Sequence, residues 1–370
     1  MAARLGHDSV VRDLLRAKAV VDLPNEHGDT ALRLAIMHGH EKTVRAVLED
    51  GRVAVDQKRE DDDCTGLVSA VYYGHPDIVC TLLEFGARVD LRVGPDGPTP
   101  LHLAAERGEL EMVRSLLEAK PPAEVDAVDA VGDKDTPLMR AAGNGHTEVV
   151  ELMVQHGAAV DLEDWEGSTA LIKAALSGSA ANVRLLLEWG AKVDHCTSDR
   201  STALMRAVER AEADMEVVVE LIKARADVNR QNHEGISALM LAAMHGEPTI
   251  AEALLRRGAE VNQETPETGW TALLLAAESA EPQYEEETPH LVEVFEMLLF
   301  DGAEVNHSDS SGCTALMKVA EKGSVEIAQL LLENGADPLL VNGEGQTALQ
   351  IAEAYGHTEV RDLLHEIATR

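Results

Sequence analysis

Fifteen histidines, 66 carboxylates and four cysteines are the residues of this 370-residue chain that could do chemistry. Histidines and cysteines at close spacing would hold zinc, and a base beside a serine or cysteine would activate a nucleophile. The spacing supports neither. Cys64, Cys80, Cys196 and Cys313 form no C-x-x-C or other cluster. There is no G-x-x-x-x-G-K-S/T phosphate loop, no H-E-x-x-H, no G-x-S-x-G and no kinase signature. The run Glu60, Asp61, Asp62 and Asp63 lacks the spacing of a calcium loop and reads as a solvated turn tip. An acid–base pair cannot be picked from so many carboxylates without a pocket. The expectation is therefore a non-catalytic chain with no metal and no cofactor.

Composition narrows the partners. The formal net charge is −34 and the pI is about 4.7. Such a chain repels the phosphates of nucleic acid and of anionic membrane surfaces, and no apolar stretch approaches membrane-spanning length. Protein partners are expected, with basic ones steered in at long range. The first residues lack the apolar run of a secretory leader. Unclustered cysteines suit reduced thiols, so a cytosolic or nuclear monomer is expected. Aromatic residues are only 3% against 45% apolar, so the core must be aliphatic.

The elements that would position any site come from internal repetition. "GDTALRLAIMHGH", "DGPTPLHLAAERGE", "KDTPLMRAAGNGH", "EGISALMLAAMHGE" and "EGQTALQIAEAYGH" are variants of one phrase. The leucine of each T-x-L falls at 32, 67, 101, 138, 171, 204, 239, 273, 316 and 349, spaced 33–37 residues apart except for one interval of 43. Thr before Pro or Ala is a helix N-cap followed by a tolerant first position. Paired alanines such as Ala104 and Ala105 let helices approach closely. A glycine follows, as at Gly39, Gly74 and Gly108, and suits a left-handed stop. A second helix carries an apolar stripe, for example Met112, Val113, Leu116 and Leu117, and a second glycine closes it at Gly51, Gly86 and Gly157.

With this period and the complete form Thr99-Pro100-Leu101-His102-Leu103-Ala104-Ala105, the chain resembles the ankyrin-repeat family along essentially its whole length. The resemblance implies an α-class helical solenoid: helix-turn-helix repeats joined by β-hairpin-like turns, as one domain over residues 1–370. About ten repeats are expected, plus a truncated half-repeat over 1–24. Helices this short cannot stand alone in water, so stability must come from stacking, with a concave face of first helices and turn tips. In the half-repeat Lys18 takes the closing position and Ala2 and Ala3 match Ala104 and Ala105. Terminal repeats normally carry a polar outer face, but Leu5, Val10, Val11, Leu14 and Leu15 remain here, which favours a truncated array over a natural start with a degenerate cap. The last segment, ending at Arg370, reads as a true end.

Where the pattern breaks, function or weakness is expected. The 43-residue interval holds an acidic insertion around 280–290, with Glu281, Glu285, Glu286 and Glu287 and with Tyr284 as a candidate anchor; a solvated loop is the plainer reading. The repeat beginning near Arg200 has Ala211 and Arg225 in place of its two glycines. It is expected to be the weakest joint, with Arg225 forced to positive φ.

Two rows could form a binding surface. The first is the pair before the first-helix glycine, which in the family faces the groove: Met37-His38, Tyr72-Tyr73, Glu106-Arg107, Gly143-Asn144, Leu176-Ser177, Glu209-Arg210 and Met244-His245. Tyr, Met, His and Arg are enriched at interfaces, so Met37, His38, Tyr72, Tyr73, Arg107, Met244 and His245 are the candidate contacts; ordinary surface variability is the alternative. The second is the residue two after the ruler leucine, basic at Arg140, Lys173, Arg206 and Lys318. It reads either as a site for an acidic partner segment or as local neutralisation of neighbouring acids. His40, His75, His146 and His357 fall in the repeat's own "GH" position and are expected to stabilise turns. His102 belongs to the T-P-L-H phrase, which in the family bonds between repeats. Asn229, Asn262 and Asn306 are expected to cap hairpins, and Trp165 and Trp270 to lie near turn tips. The function expected is a protein-interaction scaffold, or else the recognition region of a longer protein whose catalytic, channel or signalling domain lies elsewhere.

Overall fold

The structure is a computed structural model and describes residues 1–58, 63–94, 96–130, 132–210, 214–280 and 288–368. Glu60, Asp61, Asp62, Ala211, Arg370 and the acidic insertion with Tyr284 lie outside the described residues.

Nine first helices have a start fixed by one hydroxyl, while Thr169, extended before helix Ala170–Ser177, makes no such bond. Thr99 is extended (φ −79°, ψ 165°) and its Oγ1 accepts the His102 N–H, capping helix Pro100–Glu106. The same bond starts the helices after Thr30, Thr65, Thr136, Thr202, Ser237, Thr271, Thr314 and Thr347. Pro100 and Pro137 occupy the first turn, where a missing N–H costs nothing. The stop is a left-handed residue. Gly74 closes helix Gly66–Tyr73 at φ 76°, and its N–H and the next one return to the carbonyls of Val71 and Ala70.

Twenty-one helices are found among the described residues, with no strand and three isolated antiparallel bridges, Cys196 to Thr202, Gln231 to Ser237 and Ser308 to Thr314. By packing, the chain falls into two compact units, Met1–Lys192 and Val193–Arg370. In the first, helices Ala31–Met37, Gly66–Tyr73, Pro100–Glu106, Pro137–Gly143 and Ala170–Ser177 pack each on the next as one layer. Helices Asp8–Arg16, Glu41–Glu49, Pro76–Glu84, Leu110–Leu117, Thr147–Gln155 and Ala180–Glu188 form the other. The second unit repeats the plan. Its first layer runs from Ala203–Val208 to Ala348–Tyr355, and its second from Met215–Lys223 to Thr358–Ala368. This is helical-solenoid stacking in each unit.

The core is the seam between layers, and it is aliphatic. Leu101, Ala104, Ala105, Met112, Val113 and Leu116 are fully buried, as are Ala242, Ala243, Ile250 and Leu254 in the second unit. The alanine pairs let first helices approach closely, and where one member is larger, as at Ile36, Val71, Val208 and Val319, its side chain is fully buried as well.

Three devices, each used at some of the joints, tie neighbouring repeats together. The first is a buried imidazole. His102 Nδ1 accepts the Thr99 N–H at 3.2 Å, so its Nε2 carries the proton and donates to the Asp135 carbonyl at 3.1 Å. The second is the "GH" histidine. Rather than serving its own turn, it reaches the preceding repeat. His40, His75, His146 and His357 donate through Nε2 to the carbonyls of Arg4, Met37, Glu106 and Glu321 at 2.8–3.3 Å. Each ring covers the preceding repeat's glycine, and a Cβ at Gly108 would lie 2.5 Å from His146 Nδ1. The third is at the hairpins. Asn229, Asn262 and Asn306 accept the backbone N–H groups of Glu260, Glu304 and Asp337 at 2.8–2.9 Å. Their amides donate to the carbonyls of Gly258, Gly302 and Gly335 at 3.0–3.1 Å. Asp56, Asp126 and Asp161 make the accepting half of this bond in the first unit.

Among the described residues five non-glycine residues take positive φ: Lys18, Asp63, Lys134, Arg200 and Arg225. All stand where other repeats use a left-handed glycine, such as Gly28, Gly51, Gly167 and Gly235. Arg225, at φ 65° and exposed, is as expected. Arg225→Gly therefore removes a Cβ penalty that exceeds glycine's entropic one, and unfolding free energy should rise by about 0.5–1 kcal/mol. A urea midpoint that falls instead would show that the Arg225 side chain stabilises its repeat.

His102 sets a pH prediction. Burial pushes its pKa down to about 4 from an ordinary 6.5, with the Asp135 carbonyl opposing weakly. The unfolded chain takes up a proton below pH 6.5 while the folded chain does not, so stability falls from there down to about pH 4. His102→Gln keeps the cap, because Gln350 already caps this way through its Oε1 to the Thr347 N–H at 3.0 Å. Between pH 7 and 4.5 the wild type should lose about 2 kcal/mol more than His102→Gln. Equal losses in parallel denaturation series would refute the assignment.

Candidate functional site

The row before the first-helix glycines comes to the surface because the αL stop ends each helix there. In the first unit Tyr72 is 59% exposed and Tyr73 40%, with their rings edge to face at 5.2 Å. On the helix before, Met37 is half-buried and His38 exposed; the His38 ring lies 6.2 Å from that of His40, stacked, and its Nδ1 contacts the Leu34 carbonyl at 2.9 Å. On the helix after, exposed Arg107 reaches back toward Gly74, the residue following the tyrosines, and pairs loosely with Glu109 at 3.9 Å. These three helices pack in succession, so His38, Tyr72, Tyr73 and Arg107 share one face of the first layer. Leu176, on the Ala170–Ser177 helix of the same layer, is 49% exposed. In the second unit Met244 is half-buried and His245 exposed.

Sequence reading stopped this row three members short, before Glu278-Ser279, Glu321-Lys322 and Ala354-Tyr355. Tyr355, just before Gly356, is 59% exposed and hydrogen-bonded to Glu321. Its signal was the same register, carried on to the final "AEAYGH".

The basic row is engaged at every member. Arg140 binds Glu106 at 2.6 Å and also Asp129. Lys173 sits 2.8 Å from Asp164 and 3.2 Å from Asp135. In the second unit Arg206 pairs with Asp199 at 3.0 Å and Glu209 at 2.7 Å. Lys318, 8% exposed, holds Glu278 at 3.1 Å and Asp309 at 3.4 Å, and lies 4.2 Å from the Trp270 ring centroid. Burial disfavours the Lys173 ammonium, but Asp164 and Asp135 outweigh it and hold its pKa above the ordinary value. A partner's carboxylate would have to displace one of these acids.

The reason for the row lies in the turn tips. In five repeats the residue seven before the ruler leucine is an Asn or Asp that folds the tip by accepting two backbone N–H groups. Asp164 takes those of Glu166 and Ser168, Asn232 those of Glu234 and Ile236, and Asp309 those of Ser311 and Cys313. Where the tip is Asp, its buried charge faces a cation: Asp164 faces Lys173, and Asp309 faces Lys318. Where it is Asn, at Asn25, Asn232 and Asn342, the matching residue is Leu34, Leu241 or Ile351. Asp129 with Arg140 and Asp199 with Arg206 make the same match from shifted tips. The pairing of these two positions was the sequence signal that could have revealed it.

Exposed Trp165 stands at a tip, its N–H bonded to the Asp133 carbonyl at 3.0 Å and its ring 5.2 Å from Lys134 Nζ. Among the described residues no cluster of three or more His, Cys, Asp or Glu could hold a metal ion, and no helix is long and apolar enough to cross a membrane.

The tip match predicts a rescue. Lys173→Leu leaves the fully buried Asp164 side chain without its closest cation and should cost about 2–4 kcal/mol in chemical denaturation. Adding Asp164→Asn recreates the Asn232–Leu241 pairing and should recover most of that loss. A double variant no more stable than Lys173→Leu would contradict the match.

Comparison with known proteins agrees with this architecture. The model for ankyrin repeats in three copies matches residues 1–93, 56–129, 85–160, 101–197, 204–286 and 286–369. Ankyrin repeat and KH domain-containing protein mask-1 of Caenorhabditis elegans is 28% identical over 330 residues, 88% of this chain. E3 ubiquitin-protein ligase KEG of Arabidopsis thaliana is 35% identical over 159 residues, 43% of this chain. The nuclear factor NF-kappa-B p105 subunit of Gallus gallus is 30% identical over 159 residues, 42% of this chain. The matched regions span only 10%, 9% and 16% of those proteins. With first helices capped by a hydroxyl, glycine stops and bonded hairpins in most repeats, and the family's model matched along nearly all of its length, the chain belongs to the ankyrin-repeat family.

Proposed function

We propose that this chain is a non-catalytic protein-interaction module that binds partner proteins through the exposed row at the ends of its first helices. The observation that carries the reading is the Tyr72–Tyr73 pair. Two tyrosines are held in the open on a rigid, capped helix, between His38 and Met37 on one side and Arg107 on the other. Such a preformed surface loses little freedom on binding, and tyrosine and arginine are common binding anchors. Met244 and His245 extend the reading to the second unit. Arg140, Lys173, Arg206 and Lys318 border the row, where an acidic partner segment could exchange with the acids they hold. The same reading takes the protein to be a monomer of the cytosol or nucleus, without a nucleic-acid ligand.

A second reading is favoured by the lengths of the relatives, of which the matched regions are a tenth to a sixth. In it this array is the recognition arm of a longer protein whose activity resides in another domain.

Tyr72→Ser with Tyr73→Ser tests the first reading. Partners captured by the wild-type chain from its own cells should be lost or bound at least ~10-fold more weakly by the double variant, with its thermal melt unchanged. Retention of every partner by a variant that also carries Arg107→Ala would refute it.

A further inference from the structure

A second surface lies on the other layer of helices, away from the tyrosine row. Two residues before each closing position the repeats carry a charged or amide side chain, Glu49, Glu84, Gln155, Glu188 and Arg256 among them. In helix Thr288–Phe300 that register holds Phe300, one of only three phenylalanines in the chain. It is 91% exposed, the most open of the large apolar residues among those described. A ring is costly to leave in water, and nothing in the repeat's packing asks for it here.

Phe300 stands at the rim of an open groove between helix Pro248–Leu255 and its own helix, lined also by Leu255, Met297, Glu252, Arg256 and Glu296. The floor is thus apolar, and the walls are acidic. Asp301 follows the ring, Glu293 is exposed along the same helix, and Glu326 and Glu333 are exposed on the next helix of that layer, Val325–Glu333. The one guanidinium of the groove, on Arg256, is already bound to Glu252 at 2.6 Å.

We infer that this groove docks a cationic amphipathic segment of a partner protein. An apolar residue of the segment covers Phe300, Met297 and Leu255 while its lysines or arginines meet Glu296 and Asp301. Charge selects this occupant. A second copy of a chain with net charge −34 would bring acid against acid, whereas a basic segment is attracted from a distance and then held by the ring. The surface is distinct from the tyrosine row, and either can fail without the other.

The test uses the full chain and a fluorescein-labelled helical peptide of leucine and lysine at amphipathic spacing, followed by anisotropy in ~0.15 M salt. Phe300→Ser, which leaves the charge unchanged, should weaken Kd at least ~10-fold, the loss expected for removing an aromatic anchor. Glu296→Gln with Asp301→Asn should weaken it and flatten its salt dependence. Tyr72→Ser with Tyr73→Ser should leave it unchanged. Because the Phe300 ring touches little, the thermal melt of Phe300→Ser should match the wild type. Equal affinity of wild type and Phe300→Ser would mean only diffuse attraction to an acidic protein, and would overturn the proposal, as would no binding at all. A dimer in sedimentation that Phe300→Ser dissolves would overturn it in favour of self-association.

Discussion

A helix of seven or eight residues cannot satisfy itself. Its end carbonyls lack partners, its apolar stripe needs a cover, and its length is below what water tolerates alone. In this chain the glycine stop returns some of those carbonyls to their own helix, and the neighbouring repeat meets much of the rest. The carbonyl of Glu106 is bonded by His146, that of Asp135 by His102, and that of Gly258 by Asn229. The alanine seams and the Leu, Val and Met stripes close in the same direction. Everything else, from the exposed tyrosines to the turn tips, is mounted on joints of this kind.

The tips show how charge is handled on such joints. A turn whose two N–H groups must be accepted can use Asn or Asp with equal geometry. Asp adds a charge in a place that excludes water, and the chain answers with a cation at one fixed position of the following helix. This gives the acidic molecule interior cations without a basic surface, and accounts for lysines and arginines that sit among so many carboxylates.

Much of this was legible in advance. The N-cap threonines, the glycine stops, the apolar stripes and the positive φ at Arg225 follow from residue type and spacing, because they are local requirements of the backbone. The tyrosine row was legible for the same reason: the residue before a left-handed stop has to emerge. What stayed hidden was relational. His40 and His146 looked like parts of their own turns, yet their partners lie in the preceding repeat. The basic row looked like a stripe, and only contact with Asp164 and Asp309 shows it as a set of separate pairs. Phe300 had no local pattern to mark it beyond its departure from the register. Contacts of this kind depend on which surface meets which, and a single repeat read alone does not contain them.

The glycine beneath the imidazole has a further consequence. Because the His ring occupies the space of a Cβ on the preceding repeat, a repeat with His in this position can only follow one whose first helix ends in glycine. The reverse does not hold, since Glu109 and Ser179 follow Gly74 and Gly145. The chain obeys this order: behind Ala211 and Ala280, the two first helices in the sequence without their glycine, come Glu247 and Ser324 and not His. Repeats of this array are therefore not interchangeable bricks. Duplication or recombination within it must respect a rule of succession, written in one residue of each unit and read by the next.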